Sequence, residues 1–374
     1  MRDQTAKTSA ELTCVGRAGR MVRLVVGSES FPVPDFFMPD APRFSHDGAL
    51  RVDATGDRRT LIDGDSALVT MSARVEPFVL SVEIPRGARV YGFGAATGAP
   101  TRNGARFRLM TRDTLFFGIP GATYTAFPFF WVKAASETFA VLLATTYPLD
   151  VEVGATAVTM RGACDTEKSA VDVIVLRGSP AQILADQGSL VGRTFLPPAW
   201  ALGFHQSRWS YKTQRAVLDV ARRFRAEELP ADVVHLDIHY MDRYRVFTFS
   251  TERFPRPRAM HDELRTLGFR TLAIIDPGVS VAPYRAYEEG KQAGIFCTRS
   301  DKTLYQGKVW PGATVFPDFT QVGARDAWAR FHTPLLDAGV AGFWNDMNDP
   351  VLQVGETYDP LAEDIRQGEF GEIP

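Results

Sequence analysis

Asp346 is the carboxylate whose neighbours in the sequence most clearly indicate a chemical role. It lies in the run GFWNDMNDP of residues 342–350. Trp344 lies two positions before it and Met347 follows it directly, so aromatic and thioether groups flank the carboxylate. The apolar residues before it predict a buried strand with Asp346 at its exposed end. Such a setting suits a ligand with apolar faces and many hydroxyl groups, which is the character of a sugar.

Two earlier apolar strands also finish on an aspartate, at Asp237 and Asp276, and the strand before them ends in the polar run HQSR, 205–208. In a (β/α) barrel the carboxyl ends of the strands meet at one face, where the chemistry takes place. Carboxylates gathered there repel one another unless they bind hydroxyls, a cation or a developing positive charge. The pattern therefore indicates either a divalent-metal site or glycoside cleavage.

The metal alternative depends on His235, Asp237 and His239, whose spacing of two would place them on one face of a strand. On an extended strand the two histidines would lie roughly 13 Å apart, at about 3.3 Å per residue. Because metal–nitrogen bonds are only about 2 Å long, both histidines cannot bind one ion. We therefore predict no metal site and no cofactor, and we interpret His235 as a packing residue.

Two tryptophans support the sugar alternative. Trp310 lies in the long connection between the third and fourth strands, and Trp344 lies on the strand that ends at Asp346. The apolar faces of pyranose rings pack on such side chains, although each tryptophan taken alone is equally consistent with a packed core residue.

Residues 1 to about 180 have the periodicity of β-strands. In the segment 69–84 apolar and polar residues alternate with a period of two, which is typical of half-buried strands. The runs TFAVLLATT (138–146), DVEVGATAVTM (150–160) and VDVIVL (171–176) continue the pattern. No long helical pattern interrupts it, so we predict an antiparallel β-sandwich.

After residue 196 apolar strands alternate with amphipathic helices, which predicts a parallel sheet with covered faces. The first helix should begin after an N-cap at Thr213 and bury Val217, Val220, Ala221 and Phe224. Further helices are expected near 257–267 and 324–338, and strands at 233–238, 269–276 and 340–346. The fold class is thus α/β plus all-β, with a domain boundary at Leu-Pro-Pro, 196–198, between domains 1–195 and 196–374.

Composition excludes several other classes of protein. The chain has 374 residues, 45% of them hydrophobic, and a net charge of −2 without a basic stripe, which argues against a nucleic-acid partner. No apolar run is long enough for a membrane span and no secretory signal is visible. Cys14, Cys164 and Cys297 are too few and too far apart for a disulfide framework, so we expect a cytoplasmic protein.

Eight segments, in order along the chain, resemble glycoside hydrolase family 31, the α-glucosidase and α-xylosidase group. They are YGFGAATG (91–98), LMTRDT (109–114), FPFFW (127–131), LPPAWALGFHQSRWSY (196–211), LDIHYMDRYRVFTF (236–249), IIDPGV (274–279), VWPGATVFPDFT (309–320) and FWNDMNDP (343–350). Each segment alone is a weak signal, whereas the ordered set is highly specific. The resemblance implies a galactose-mutarotase-like sandwich followed by the first half of a (β/α)8 TIM barrel.

The resemblance also implies catalytic roles. Asp346 matches the family's nucleophile, which forms a covalent glycosyl–enzyme in a retaining mechanism. Asp349 stands where the family usually has Glu, and it would support the nucleophile from a shorter side chain. Asp113 matches an aspartate on a sandwich loop that reaches over the barrel mouth, although its position also suits a turn.

The remaining matches would bind the substrate, an α-linked oligosaccharide or glycoside. Asp237 and Asp276 match residues around the sugar in the cleaved subsite, although Asp276, which precedes Pro277, could instead cap a turn. His239 departs from the family, which often has an acidic residue there, and so weakens any inference of glucose specificity. The matches to subsite walls are Trp310, Trp344 and Met347.

The family's general acid/base lies on a later barrel strand, and we count four of the eight strands before Pro374. We therefore expect a truncated barrel and little or no hydrolase activity from the 374-residue chain. The alternatives are transglycosylation or lyase release by the same fold, and a non-catalytic carbohydrate-binding remnant. The sugar, the linkage and the oligomeric state are not determined by the sequence.

Overall fold

The computed structural model describes residues 12–27, 41–45, 50–56, 58–63, 65–74, 78–95, 98–111, 122–123, 125–135, 137–145, 147–162, 171–348, 352–354, 357–359 and 365–366. The chain folds as two compact units, Met1–Thr194 and Phe195–Pro374. In the described residues, no helix combines the length and the apolar character that a membrane crossing requires.

The described part of the first unit consists mostly of β-strands. They are β1 Leu12–Ala18, β2 Met21–Val26, β3 Leu50–Thr55, β4 Arg58–Asp63, β5 Ser66–Arg74, β6 Phe78–Glu83, β7 Arg89–Ala95, β8 Arg106–Thr111, β9 Ala122–Thr123, β10 Thr125–Lys133, β11 Thr138–Ala144, β12 Leu149–Val153, β13 Ala157–Gly162 and β14 Val171–Arg177.

These strands pair into two sheets, in the orders β1-β2-β14-β11-β10-β7 and β3-β4-β5-β6-β13-β12-β8-β9. Neighbouring strands run antiparallel, as in β11–β14 and β6–β13, whereas the short β8–β9 pair is parallel. Alternate residues of both sheets, such as Leu24 in β2 and Leu80 in β6, are fully buried in one shared core. The predicted antiparallel β-sandwich is therefore confirmed.

A helix that the sequence pattern did not reveal follows β14. Helix α1, Pro180–Val191, begins after Ser179, whose hydroxyl accepts a hydrogen bond from the N–H of Gln182 while the side chain of Gln182 returns to Ser179. Ile183 and Leu190 pack on the outer face of the six-stranded sheet. The described part of the first unit thus contains a helix in a segment for which no element was predicted.

The described part of the second unit alternates strands and helices. Its elements are β15 His205–Gln206, α2 Gln214–Ala226, β16 Val233–Leu236, α3 Pro257–Thr266, β17 Arg270–Ile275, β18 Val279–Ser280, α4 Arg285–Ala293, β19 Thr298–Arg299, β20 Gly307–Val309, β21 Gly312–Val315, α5 Val322–Phe331, α6 Thr333–Ala338, β22 Gly342–Asn345, β23 Leu352–Val354, β24 Thr357–Asp359 and β25 Ile365–Arg366.

Strands β15, β16, β17 and β22 form a parallel sheet in chain order. Helices follow the strands, and their apolar residues share a core with the sheet. This is the arrangement of a partial (β/α) barrel, as predicted.

The predicted cap of the first barrel helix is confirmed, because the Thr213 side chain accepts from the N–H of Ala216 at 3.2 Å. The helix expected over 324–338 is wrong as a single element. It divides at His332 into α5 and α6, since Pro334 occupies the first turn of the second helix, where it needs no hydrogen-bond donor.

The long connection after β17 has more structure than its glycines and prolines indicated. It contains helix α4 and a small sheet in the order β18-β21-β20. The turn between β20 and β21 contains Trp310, so this small sheet positions one of the candidate site residues.

Candidate active site

Strand register places the candidate residues of the sheet on one face. Ile274 pairs with Trp344 and Ile275 with Asn345, so Asp276 and Asp346 follow at the same level of neighbouring strands. The N–H of Asp346 donates to the carbonyl of Ile275 at 3.3 Å, which continues this register. Because side chains alternate along a strand, Trp344 and the two aspartates belong to the same face.

Asp237 lies directly after β16, where the backbone leaves the sheet. It caps a short 3-10 turn, Ile238–Tyr240, and its Oδ1 accepts from the N–H of Ile238 at 2.7 Å. Burial raises the pKa of Asp237, and the charge of Asp346 adds to this effect, whereas the Ile238 N–H and His239 oppose it. The predicted strand 233–238 is therefore too long, and His239 does not share a strand with the residues of β16.

Asp276 is the most buried of these carboxylates, with 5% of its surface exposed. Burial, and then the charges of Asp346 and Asp237, raise the pKa of Asp276 to about 7. Among the described residues its Oδ1 has no hydrogen-bond partner. A buried carboxyl oxygen without a partner is costly, and a hydroxyl-bearing ligand would supply the missing hydrogen bond.

Asp346 is held by the backbone that follows it. Its Oδ1 accepts from the N–H of Met347 at 2.8 Å, and Met347 adopts a left-handed conformation with φ of 55°. Trp344 packs against the main core of the unit. The Met347 side chain packs against a small apolar cluster, which consists of Cys297, Tyr305, Val309 and Phe316. The side chains on both sides of Asp346 are therefore held by packing.

An exposed aromatic pair lies on the loops of this unit. Trp310, 39% exposed, and Trp209, 67% exposed, have ring centroids 5.9 Å apart at an interplanar angle of 50°. Trp209 was not singled out from the sequence, although it lies in the segment HQSRWSY after the first barrel strand. Exposed aromatic faces of this kind can stack on sugar rings.

Two histidines meet on neighbouring strands of the parallel sheet. His205 Nδ1 and His235 Nε2 share a hydrogen bond of 3.1 Å, and the His235 ring contacts Trp344 with centroids 5.8 Å apart. Burial and the neighbouring His205 lower the pKa of His235. This supports the interpretation of His235 as a packing residue. No metal-binding group of three or more His, Cys, Asp or Glu occurs within the described residues.

Two predicted site residues, Asp113 and Asp349, lie outside the described residues. Asp242, which follows the turn of Asp237, forms an ion pair with Arg245. The structure thus brings together Asp237, Asp276 and Asp346.

Two family models match the chain. Residues 41–152 match the glycosyl hydrolase 31 N-terminal galactose mutarotase-like domain, and residues 194–369 match the glycosyl hydrolases family 31 TIM-barrel domain. The chain belongs to glycoside hydrolase family 31. It contains the N-terminal sandwich and part of the barrel of that family.

Similar proteins agree with this assignment. The chain is 37% identical over 264 residues to alpha-glucosidase 2 of Bacillus thermoamyloliquefaciens, a match that covers 70% of this chain and 33% of the relative. A solved family 31 alpha-glucosidase of Bacteroides thetaiotaomicron is 31% identical with a TM-score of 0.65, over 74% of this chain and 47% of the other.

A family 31 dextranase of Flavobacterium johnsoniae, solved with isomaltotriose, shares the fold with a TM-score of 0.73 at 19% identity. The match covers 91% of this chain and 45% of the dextranase chain. The chain therefore spans less than half the length of each of these relatives.

Proposed function

We propose that this family 31 chain carries the nucleophile, Asp346, for the hydrolysis of α-glucosidic bonds by a retaining mechanism. The observation that carries the proposal is the convergence of Asp237, Asp276 and Asp346 at the carboxyl ends of neighbouring barrel strands. The charge of Asp346 raises the pKa of Asp237, and the charges of Asp346 and Asp237 both raise the pKa of Asp276. The matched curated relatives are alpha-glucosidases, which favours an α-glucoside as the substrate.

In the proposed first step, a carboxylate oxygen of Asp346 attacks the anomeric carbon of the sugar. The bond from that carbon to the leaving-group oxygen breaks, and the oxygen departs with the electron pair and takes up a proton from solvent water. A second water molecule then attacks the anomeric carbon, the bond from that carbon to Asp346 breaks, and the attacking water gives its proton to solvent. Asp346 is again a carboxylate, and the sugar leaves with its original anomeric configuration. The hydrogen bond from the Met347 N–H fixes the rotation of the Asp346 carboxylate before this attack.

Asp276 binds a sugar hydroxyl in this proposal. With its pKa raised to about 7 by burial and by the neighbouring carboxylates, it is protonated in much of the population at neutral pH. It can therefore donate to a hydroxyl oxygen or accept from a hydroxyl proton. Asp237 directly follows the preceding strand, β16, and is positioned to bind another hydroxyl of the same sugar.

Covalent labelling tests the role of Asp346. A 5-fluoro-α-glucosyl fluoride forms a long-lived glycosyl–enzyme, and its fluoride leaving group needs little help from a general acid. We expect peptide mass spectrometry to place the adduct on Asp346 and the Asp346→Asn variant to remain unlabelled. Asp242→Asn is the matched control, because Asp242 pairs with Arg245, and it should be labelled like the wild type.

An adduct on any other residue would contradict the assignment of the nucleophile. Binding of glucose without an adduct would instead favour a non-catalytic carbohydrate-binding protein.

A further inference from the structure

His239 contacts a loop that the proposed mechanism does not use. Its Nδ1 lies 2.9 Å from Ser210 Oγ and shares a hydrogen bond with it, across 29 residues of sequence. Ser210 is 7% exposed and directly follows Trp209, the more exposed member of the aromatic pair. His239 therefore joins the loop after β15 to the turn after β16.

The other contacts of His239 fix the imidazole from the side of the turn. Its ring packs edge-on against Tyr244 with centroids 5.6 Å apart. Burial, followed by the positive charges of Lys212 and Arg253, lowers the pKa of His239, whereas the Asp237 carboxylate raises it. The reciprocal effect of His239 on the pKa of Asp237 indicates that the imidazole lies near that carboxylate.

Side-chain hydrogen bonds hold the loop that carries Trp209. Gln206 Nε2 donates to Tyr211 OH at 2.9 Å, and Ser210 bonds to His239. Trp209 itself is largely exposed, so packing alone does not fix its ring. A hydrogen bond beside Trp209 then has a large influence on where the ring stands relative to Trp310.

We propose that His239 is a positioning residue, which holds the Trp209 loop through Ser210 and so sets the affinity for a second sugar unit stacked on the Trp209–Trp310 pair. The sugar part of this inference rests on the proposed function. If one sugar unit of an oligosaccharide binds to the three aspartates, the next unit lies farther from the sheet. That second unit would reach the exposed faces of the two tryptophans.

The positioning role is tested first without any sugar, by ¹⁹F NMR of the full chain labelled with 5-fluorotryptophan. Trp209→Phe assigns the Trp209 resonance. We expect His239→Ala and Ser210→Ala each to shift and narrow that resonance, because both break the same bond. His239→Asn places an amide near the position of Nδ1 and should keep the wild-type signal. An unchanged Trp209 resonance in both alanine variants would overturn the proposal.

Sugar binding gives the second readout, with glucose and isomaltotriose as the probes. His239→Ala should weaken the binding of isomaltotriose by about three- to tenfold more than it weakens the binding of glucose, which is the effect of one lost hydrogen bond. Equal loss for both sugars would contradict a role confined to the second unit. A wild-type chain that binds neither sugar would overturn the proposed function, while the ¹⁹F result would still decide the positioning role.

Discussion

Asp276 and Asp346 directly follow neighbouring parallel strands, and burial of Asp276 together with the charge of Asp346 raises the pKa of Asp276 to about 7. We predict that Asp346→Asn lowers the pKa of Asp276, because asparagine keeps the shape of the side chain and removes its charge. Carboxyl ¹³C NMR titration measures this directly. Asp237→Asn should lower the pKa of Asp276 less than Asp346→Asn does, since the charge of Asp237 raises that pKa less. An Asp276 pKa that stays near 7 in both variants would mean that burial alone causes the shift.

The raised pKa of Asp276 also predicts how stability depends on pH. Between the ordinary value of 3.8 and about 7, the folded chain keeps a proton that the unfolded chain has lost, so the free energy of unfolding falls as the pH rises. Relative to Asp276→Asn, the wild type should lose at most about 1.4 kcal/mol per pH unit in this window.

Denaturant unfolding of both proteins at about pH 5 and about pH 8, on either side of the folded-state pKa, measures this difference. Asp337→Asn serves as the control, since it removes an exposed carboxylate of the same unit. A difference between wild type and Asp276→Asn that is the same at both pH values would refute the prediction.

The lowered pKa of His261 predicts the opposite dependence of stability on pH. It is 3% exposed in α3, and burial lowers its pKa from 6.5 to about 4. Between pH 6.5 and about 4, His261 is protonated in the unfolded chain and neutral in the folded chain. The free energy of unfolding therefore falls as the pH falls toward 4. His261→Leu removes the titrating group and should flatten this decline. Equal declines in the two proteins, measured by denaturant unfolding, would exclude His261 as the cause.

Local patterns in the sequence were sufficient for much of the barrel portion. Thr213 has the hydroxyl that an N-cap needs, and it caps the start of α2 as predicted. Asp237 and Asp276 each follow directly on an apolar strand, so their places at strand ends could also be read from the sequence. These features depend only on residues that lie close together in the sequence, so a single sequence is sufficient to predict them.

Features that depend on distant contacts could not be predicted in the same way. The alternating pattern continues through His239, yet the strand stops at Leu236, and Tyr240 OH donates to the carbonyl of Ile274 on the next strand. The bond between Ser210 and His239 likewise joins residues 29 positions apart. The folded sheet creates such pairs, and nothing in the spacing of the sequence displays them.

Two helical glycines in the barrel unit provide a matched test of packing. A Cβ on Gly290, in α4, would lie 2.4 Å from Cζ of Phe296, whose buried ring stacks on Tyr287. A Cβ on Gly323, in α5, would meet nothing within 4 Å. Alanine is the better helix former, by about 0.5–1 kcal/mol, so without a clash either substitution would stabilise the chain.

We therefore expect Gly290→Ala to destabilise the chain by about 1–3 kcal/mol, because the Phe296 ring must move within a packed core. Gly323→Ala should be neutral or stabilising by up to about 1 kcal/mol, since only the helix preference changes. Denaturant midpoints of the two variants give the comparison under identical conditions. If both alanine substitutions stabilise the chain equally, the Phe296 ring has room to move. That result would contradict the inference that the ring is tightly packed against α4.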